Sequence, residues 1–181
     1  DCAIITNPGA PSRKGEIANV KTILGRYYVN IEEVSAPGTV EGGDIMMVGS
    51  HFYIGVSERT NLNGANQVIT ILEKYGMSGS VIELKKVLHL KTGISYLEEN
   101  NLVASGEFLK KEELQSFNIL EIDGDESYAA NCIWVNNKVL IPKGYPKAKN
   151  TIESAGYSTI EIDVYEFQKL DGGLSCLSLR F

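Results

Sequence analysis

Short apolar runs alternate with amphipathic stretches along this chain, and the alternation repeats. Residues 2–6, CAIIT, form an apolar run stopped by Asn7, Pro8, Gly9 and Pro11, which predicts a buried strand entering a turn. Ser12 suits a helix cap, and Ile17, Val20 and Leu24 follow at helical spacing with Gly25 beyond them. A strand over 27–34 comes next. The second copy has two short strands, Ile45–Val48 and 52–56, across the hairpin signal Gly49-Ser50. Asn63 then caps a helix carrying Ala65, Val68, Leu72 and Tyr75 on one face, Gly76 closes it, and a strand over 80–84 follows.

A third copy starts near His89: two strands around Asn100-Asn101, a short charged helix over 110–115, and a strand over 119–122. The fourth pairs Ile133–Val135 with 139–141 across Asn136-Asn137, adds a helix with Ala148, Ile152 and Ala155, and ends in a strand over 158–162. The unit is β-β-α-β with a spacing of roughly 40 residues, a period typical of radial or stacked repeats. Approximate modules are 1–36, 37–86, 87–126 and 127–165, in one domain. Residues 171–181, DGGLSCLSLRF, remain as an alternating strand able to close a sheet begun at the N-terminus. The first copy has one strand before its helix, so half a unit is expected ahead of it.

Composition narrows the function classes. The 181 residues carry a net charge of −6, which argues against a nucleic-acid backbone partner. No apolar run reaches membrane-spanning length, so no membrane partner is expected. Cysteines at 2, 132 and 176 are too few and scattered for a disulfide framework, and with two histidines no zinc spacing exists. A reducing cytoplasm is the expected compartment. The chain opens on Asp1 rather than methionine, as a processed or incomplete chain would.

Cys176 follows a flexible Gly172-Gly173 pair near a strand end, where backbone can approach a ligand closely. A free cysteine is more often a small buried hydrophobe, the reading given to Cys2 and Cys132. As a nucleophile, Cys176 needs a base. His89, between two leucines, is the natural partner, although such a histidine is also a common core residue. His51 lies in a polar turn and reads as surface. Glu41-Gly42-Gly43-Asp44 is either a solvated turn or a pair of carboxylates, one orienting an imidazole and the other meeting a cationic ligand or supporting the turn. Arg13 and Arg59 occupy equivalent strand-to-helix positions, where guanidinium forks could hold an α-carboxylate.

Six ordered segments carry a resemblance: TNPGAPSR (6–13), TVEGGDIMMVG (39–49), HFYIGVSERTN (51–61), VLHLKTG (87–93), SYAANCIWV (127–135) and LDGGLSCLSLRF (170–181). Together they resemble the dimethylargininases, guanidine-modifying enzymes of the pentein superfamily. The resemblance implies an α/β fold, the pentein five-bladed β/α propeller of β-β-α-β modules, here without its first N-terminal part. It implies Cys176 as nucleophile, His89 as general acid/base and Glu41 as the acid orienting it. Arg13 and Arg59 match the arginines that hold the substrate carboxylate, and Asp44 takes a supporting role. The implied substrate is free mono- or dimethylated arginine, converted to citrulline and an alkylamine through a covalent S-alkylthiouronium. The implied chemistry uses no metal and no organic cofactor.

The segment carrying the acids that grip the guanidinium, together with a mobile lid, would precede residue 2 in such a protein. The alternatives are therefore an arginine deiminase-like pentein, or a truncated propeller that binds ligand or self-assembles without catalysis. An unclosed sheet edge predicts homo-oligomer formation.

Overall fold

A computed structural model describes residues 2–178. The chain divides into two compact units, one ending at His89 and one beginning at Leu90.

In the first unit, β1 (Ala3–Ile5) pairs in parallel with β2 (Ile31–Glu33), Ala3 opposite Ile31 and Ile5 opposite Glu33. Between them the chain forms a 3-10 turn, Pro11–Glu16, then helix α1 (Ile17–Leu24). The expected Ser12 cap lies inside that turn, because Pro11 fixes φ one residue earlier and starts it. The apolar face of α1 is not buried: Val20 and Ile23 are about half exposed, and no residue of the helix is buried. The strand expected over 27–34 shrinks to β2, with Val29 exposed ahead of it.

The second module forms as a mixed sheet. β3 (Ile45–Val48) runs antiparallel to β4 (His51–Val56), turning at Gly49 with φ +59°, and β4 pairs in parallel with β5 (Ser78–Glu83). Helix α2 (Leu62–Lys74) makes the crossover that a parallel pair requires. Its cap is Asn61 rather than Asn63: Asn61 Oδ1 accepts from Gly64 N at 2.8 Å, while Asn63 Oδ1 accepts from Gln67 Nε2 one turn on. Ala65, Val68 and Leu72 bury the helix face against Val34, Val40 and Ile54.

The second unit repeats the plan twice. β6 (Ile94–Tyr96), β7 (Asn101–Ala104) and β8 (Asn118–Glu121) form one sheet. The charged helix expected over 110–115 is instead two 3-10 turns, Gly106–Lys110 and Glu112–Leu114, which is too short a stretch to close an α-helical ladder. β9 (Ile133–Val135), β10 (Lys138–Pro142) and β11 (Thr159–Ile162) form the other sheet. Asn136 and Asn137 both have positive φ in its hairpin, as a two-residue primed turn demands. Helix α3 (Pro146–Ser154) crosses over, and Val103, Ile122, Val139, Ile141 and Ile152 form the core beneath it.

After the short helix α4 (Tyr165–Gln168), the expected closing strand does not form in the described residues. Leu174–Leu177 is a 3-10 turn in which Cys176 N donates to Gly173 O at 3.0 Å, and residues 179–181 lie outside those described. Alternation alone could not reveal this, since Leu174 is drawn into a cluster with Ile133 and Val164, which bends the segment.

Candidate active site

Glu41 precedes the 3-10 turn Gly42–Asp44, so its extended backbone delivers the side chain just before β3 begins. The carboxylate is buried, with 4% of the residue exposed, and both oxygens are engaged. Oε1 accepts from Ala10 N at 2.9 Å, and Oε2 lies 2.9 Å from His89 Nε2. Arg13 Nη1 stands 3.7 Å from Oε2. Burial opposes ionisation of Glu41, but the Ala10 amide, the His89 ring and the Arg13 guanidinium outweigh it and hold the carboxyl below its ordinary range.

His89 follows β5 in a bend at the end of the unit, one-fifth exposed at its side chain. A Cβ on Gly43 would lie 2.8 Å from His89 Cγ, so glycine is required for the ring to reach Glu41. With Nε2 held by the carboxylate, Nδ1 is the nitrogen left for proton exchange. A cleft of about 170 Å³ opens beside this group, with Thr6, Arg13, Ile17, Val40 and Glu41 on its walls.

The structure brings Arg13, Glu41 and His89 together and gives Asp44 a different task. Asp44 is fully buried, and its Oδ2 accepts from Thr60 Oγ1 at 2.6 Å and Ser57 Oγ at 3.1 Å. Thr60 Oγ1 also accepts from Glu41 N, at 3.0 Å, and Ser57 Oγ accepts from Arg59 N, also at 3.0 Å. One buried carboxylate thus fixes the loop that carries Arg59 and the backbone that carries Glu41. Arg13, half exposed, also meets Glu16 at 3.2 Å, an exposed pair of small energetic weight. Among the described residues, Arg59 enters no salt bridge.

In the second unit, Cys176 is exposed and Cys132 is buried. The turn around Cys176 is held by two side chains that sequence reasoning gave no role. Asn131 Oδ1 accepts from Ser175 N at 2.9 Å, and Tyr128 Oη donates to Gly172 O at 2.6 Å. Both lie in the motif SYAANCIWV, whose residues carry no local mark of this contact. His51, expected at the surface, is half-buried with Nδ1 2.8 Å from Ser78 Oγ and Nε2 2.9 Å from Ser80 Oγ. Parallel pairing of β4 with β5 stacks those hydroxyls beside it.

A family model described as arginine deiminase matches residues 16–143. A dimethylarginine dimethylaminohydrolase of Pseudomonas aeruginosa is 61% identical over 99% of this chain and 71% of its own length. A crystal structure of a cysteine-to-serine mutant of that organism's enzyme, complexed with citrulline, superposes with a TM-score of 0.96 at 60% identity, over 99% of this chain and 71% of the other. An amidinotransferase from Microseira wollei shares the fold at a TM-score of 0.84 and 16% identity, over 97% of this chain and 65% of that one. The α/β architecture of β-β-α-β modules is thus the pentein fold. On this identity and coverage, the chain belongs to the dimethylarginine dimethylaminohydrolase family.

Proposed function

We propose that this chain hydrolyses free Nω-methylated arginine, the mono- or dimethyl form, to L-citrulline and the corresponding alkylamine. The observation that carries the reading is the Glu41–His89 pair at 2.9 Å, its carboxylate buried, within a chain 61% identical to a dimethylarginine dimethylaminohydrolase. Cys176 is assigned as the nucleophile. Its thiolate adds to the guanidinium carbon, and His89 gives its proton to the alkylated nitrogen. The C–N bond breaks and the amine leaves, and the carbon remains bound to sulfur as an S-alkylthiouronium. Neutral His89 then takes a proton from water, the oxygen adds to the same carbon, the C–S bond breaks to return the thiolate, and the hydroxyl proton passes to solvent as citrulline is released.

Glu41 fixes the ring through Nε2 and leaves Nδ1 to exchange protons with substrate and water. Arg13 and Arg59 are assigned to the substrate α-carboxylate, and Asp44 supports the loop of Arg59. An exposed free thiol at Cys176 suits a reducing compartment, and we place the reaction in the cytoplasm. No helix among the described residues is long and apolar enough to cross a membrane. Exposed Val20, Ile23 and Val29 favour self-association of two copies, which concentration-dependent sedimentation would report.

The test is citrulline release from dimethylarginine and from plain arginine, with Cys176→Ser beside the parent and intact mass after acid quenching. Turnover of the methylated substrate, its loss in the mutant and a covalent adduct on Cys176 are expected. Arg59→Ala should raise KM far more than it lowers kcat. Citrulline release that persists in Cys176→Ser, with no adduct on Cys176 in the parent, would overturn the assignment.

A further inference from the structure

The turn that carries Cys176 is short, exposed at its thiol and poor in regular structure, so its geometry must be imposed from elsewhere. Leu174–Leu177 is a single 3-10 turn with no side-chain cap. Two residues that close the neighbouring 3-10 turn, Gly124–Ala130, reach it. Tyr128 Oη donates to Gly172 O at 2.6 Å, and Asn131, with 6% of the residue exposed, accepts from Ser175 N at 2.9 Å through Oδ1. Asn131 N in turn donates to Tyr128 O at 3.2 Å, so the two holding groups are tied to each other.

The contact is close as well as polar. A Cβ at Gly173 would lie 2.3 Å from Asn131 Nδ2 and 2.7 Å from its Cγ. Gly173 has φ −105° and ψ 173°, a conformation open to any residue. Glycine at this position is therefore demanded by the Asn131 side chain rather than by the backbone. On the other side of the turn, Cys176 N donates to Gly173 O, so the asparagine presses on the residue whose carbonyl holds the cysteine.

From this arrangement we infer that Asn131 is a positioning residue for Cys176: it sets the approach of the thiolate to the guanidinium carbon through Ser175 N and the backbone of Gly173. The inference rests on the hydrolase reading above. Tyr128 shares the task by holding Gly172. A displacement of the order of 1 Å in a nucleophile costs about a hundredfold in rate, whereas substrate held by other groups still binds. Asn131 should therefore act on kcat and leave KM nearly alone.

The experiment is a double-mutant cycle on the full chain with dimethylarginine as substrate. Asn131→Ala should lower kcat by about ten- to a hundredfold with KM within about threefold, and should raise amide exchange at Ser175. Gly173→Ala, which forces the asparagine aside without opening a cavity, should lower kcat by a similar factor. The double variant should lose no more than Asn131→Ala alone, because the new methyl occupies the vacated space. A purely structural role would not give that coupling in kcat.

If Asn131→Ala does not melt cooperatively, Gly173→Ala carries the test, with the same kcat loss and Ser175 exchange as readouts. An active parent with unchanged kcat in the folded variants overturns the inference while the hydrolase reading stands. Citrulline release that persists in Cys176→Ser overturns the cysteine-hydrolase reading, and this inference with it.

Discussion

Glu41 Oε2 sits 2.9 Å from His89 Nε2, in a site where the carboxylate is 4% exposed. The carboxylate fixes which ring nitrogen can exchange a proton with the leaving amine. Glu41→Gln retains the size and one acceptor oxygen but removes the charge. It should lower kcat for dimethylarginine by about a hundredfold or more, with folding retained by circular dichroism. A variant that keeps kcat within about threefold of the parent would remove Glu41 from the catalytic assignment.

The same carboxylate links stability to pH. Its folded-state pKa is held below the ordinary value of 4.5, mainly against burial, by the Ala10 amide, His89 and Arg13. A depressed carboxyl contributes stability that is fully present above the unfolded pKa and is lost as pH falls through the folded one. The Glu41→Gln chain lacks this contribution. The difference in melting temperature between parent and variant should thus be constant at neutral pH and shrink as pH drops below about 4.5. A difference that grows on acidification would contradict the sign of this linkage.

Gly43 gives the ring its place, since a Cβ there would meet His89 Cγ at 2.8 Å and Cδ2 at 3.1 Å. Gly43→Ala should push the imidazole off Glu41 and lower kcat by about ten- to a hundredfold. Its melting temperature should fall by only a few degrees, because the His89 side chain is one-fifth exposed rather than locked in the core. Comparable kcat in Gly43→Ala and parent would show that the ring tolerates the shift.

Repeats were legible in the sequence because their hairpins and crossover helices obey local rules. Asn136-Asn137 takes the positive φ angles of a primed turn, and Ala65, Val68 and Leu72 share the buried face of α2. The ends of elements were less legible. Asn61 and Asn63 are equivalent as caps until tertiary contacts choose: Asn61 Oδ1 also accepts from Thr39 N, and its Nδ2 donates to Pro37 O, which ties the cap to the preceding loop. The strand expected through Cys176 failed for a related reason. Its alternation was real, but Tyr128 and Asn131, more than 40 positions away, take its backbone groups into a turn. Motif order pointed to Glu41 and His89, whereas a distant asparagine holding a cysteine turn has no local signature.

Asp44 gives a prediction about stability. Its fully buried carboxylate accepts from Thr60 Oγ1 at 2.6 Å and Ser57 Oγ at 3.1 Å. Asp44→Ala removes the acceptor and leaves two hydroxyls at least partly buried without it, at a cost of about 2–4 kcal/mol. For a chain of this size that lowers the melting temperature by roughly 4–16 °C. Because Arg59 rides on this loop, KM for dimethylarginine should rise more than kcat falls. An unchanged melting temperature would mean that Ser57 and Thr60 find other acceptors at no cost.

Thiol reactivity should separate Cys176 from Cys132. Cys132 is 3% exposed, and burial pushes its thiol up to about 12, against the smaller opposing effect of its contact with Ser95. At pH 8 a thiol with that pKa is ionised in only about one molecule in 10,000, and the thiolate is the reactive form. Cys176 is exposed on its turn. In a Cys2→Ala background, which leaves these two thiols to compete, iodoacetamide at pH 8 should alkylate Cys176 in the folded chain and spare Cys132. Peptide mass mapping after a time course reads both positions. Denaturant should abolish the difference, since unfolding removes the burial that holds Cys132 protonated. Labelling of Cys132 at the same rate in the folded chain would mean that β9 opens on the timescale of the reaction, and that the core beneath it is not closed.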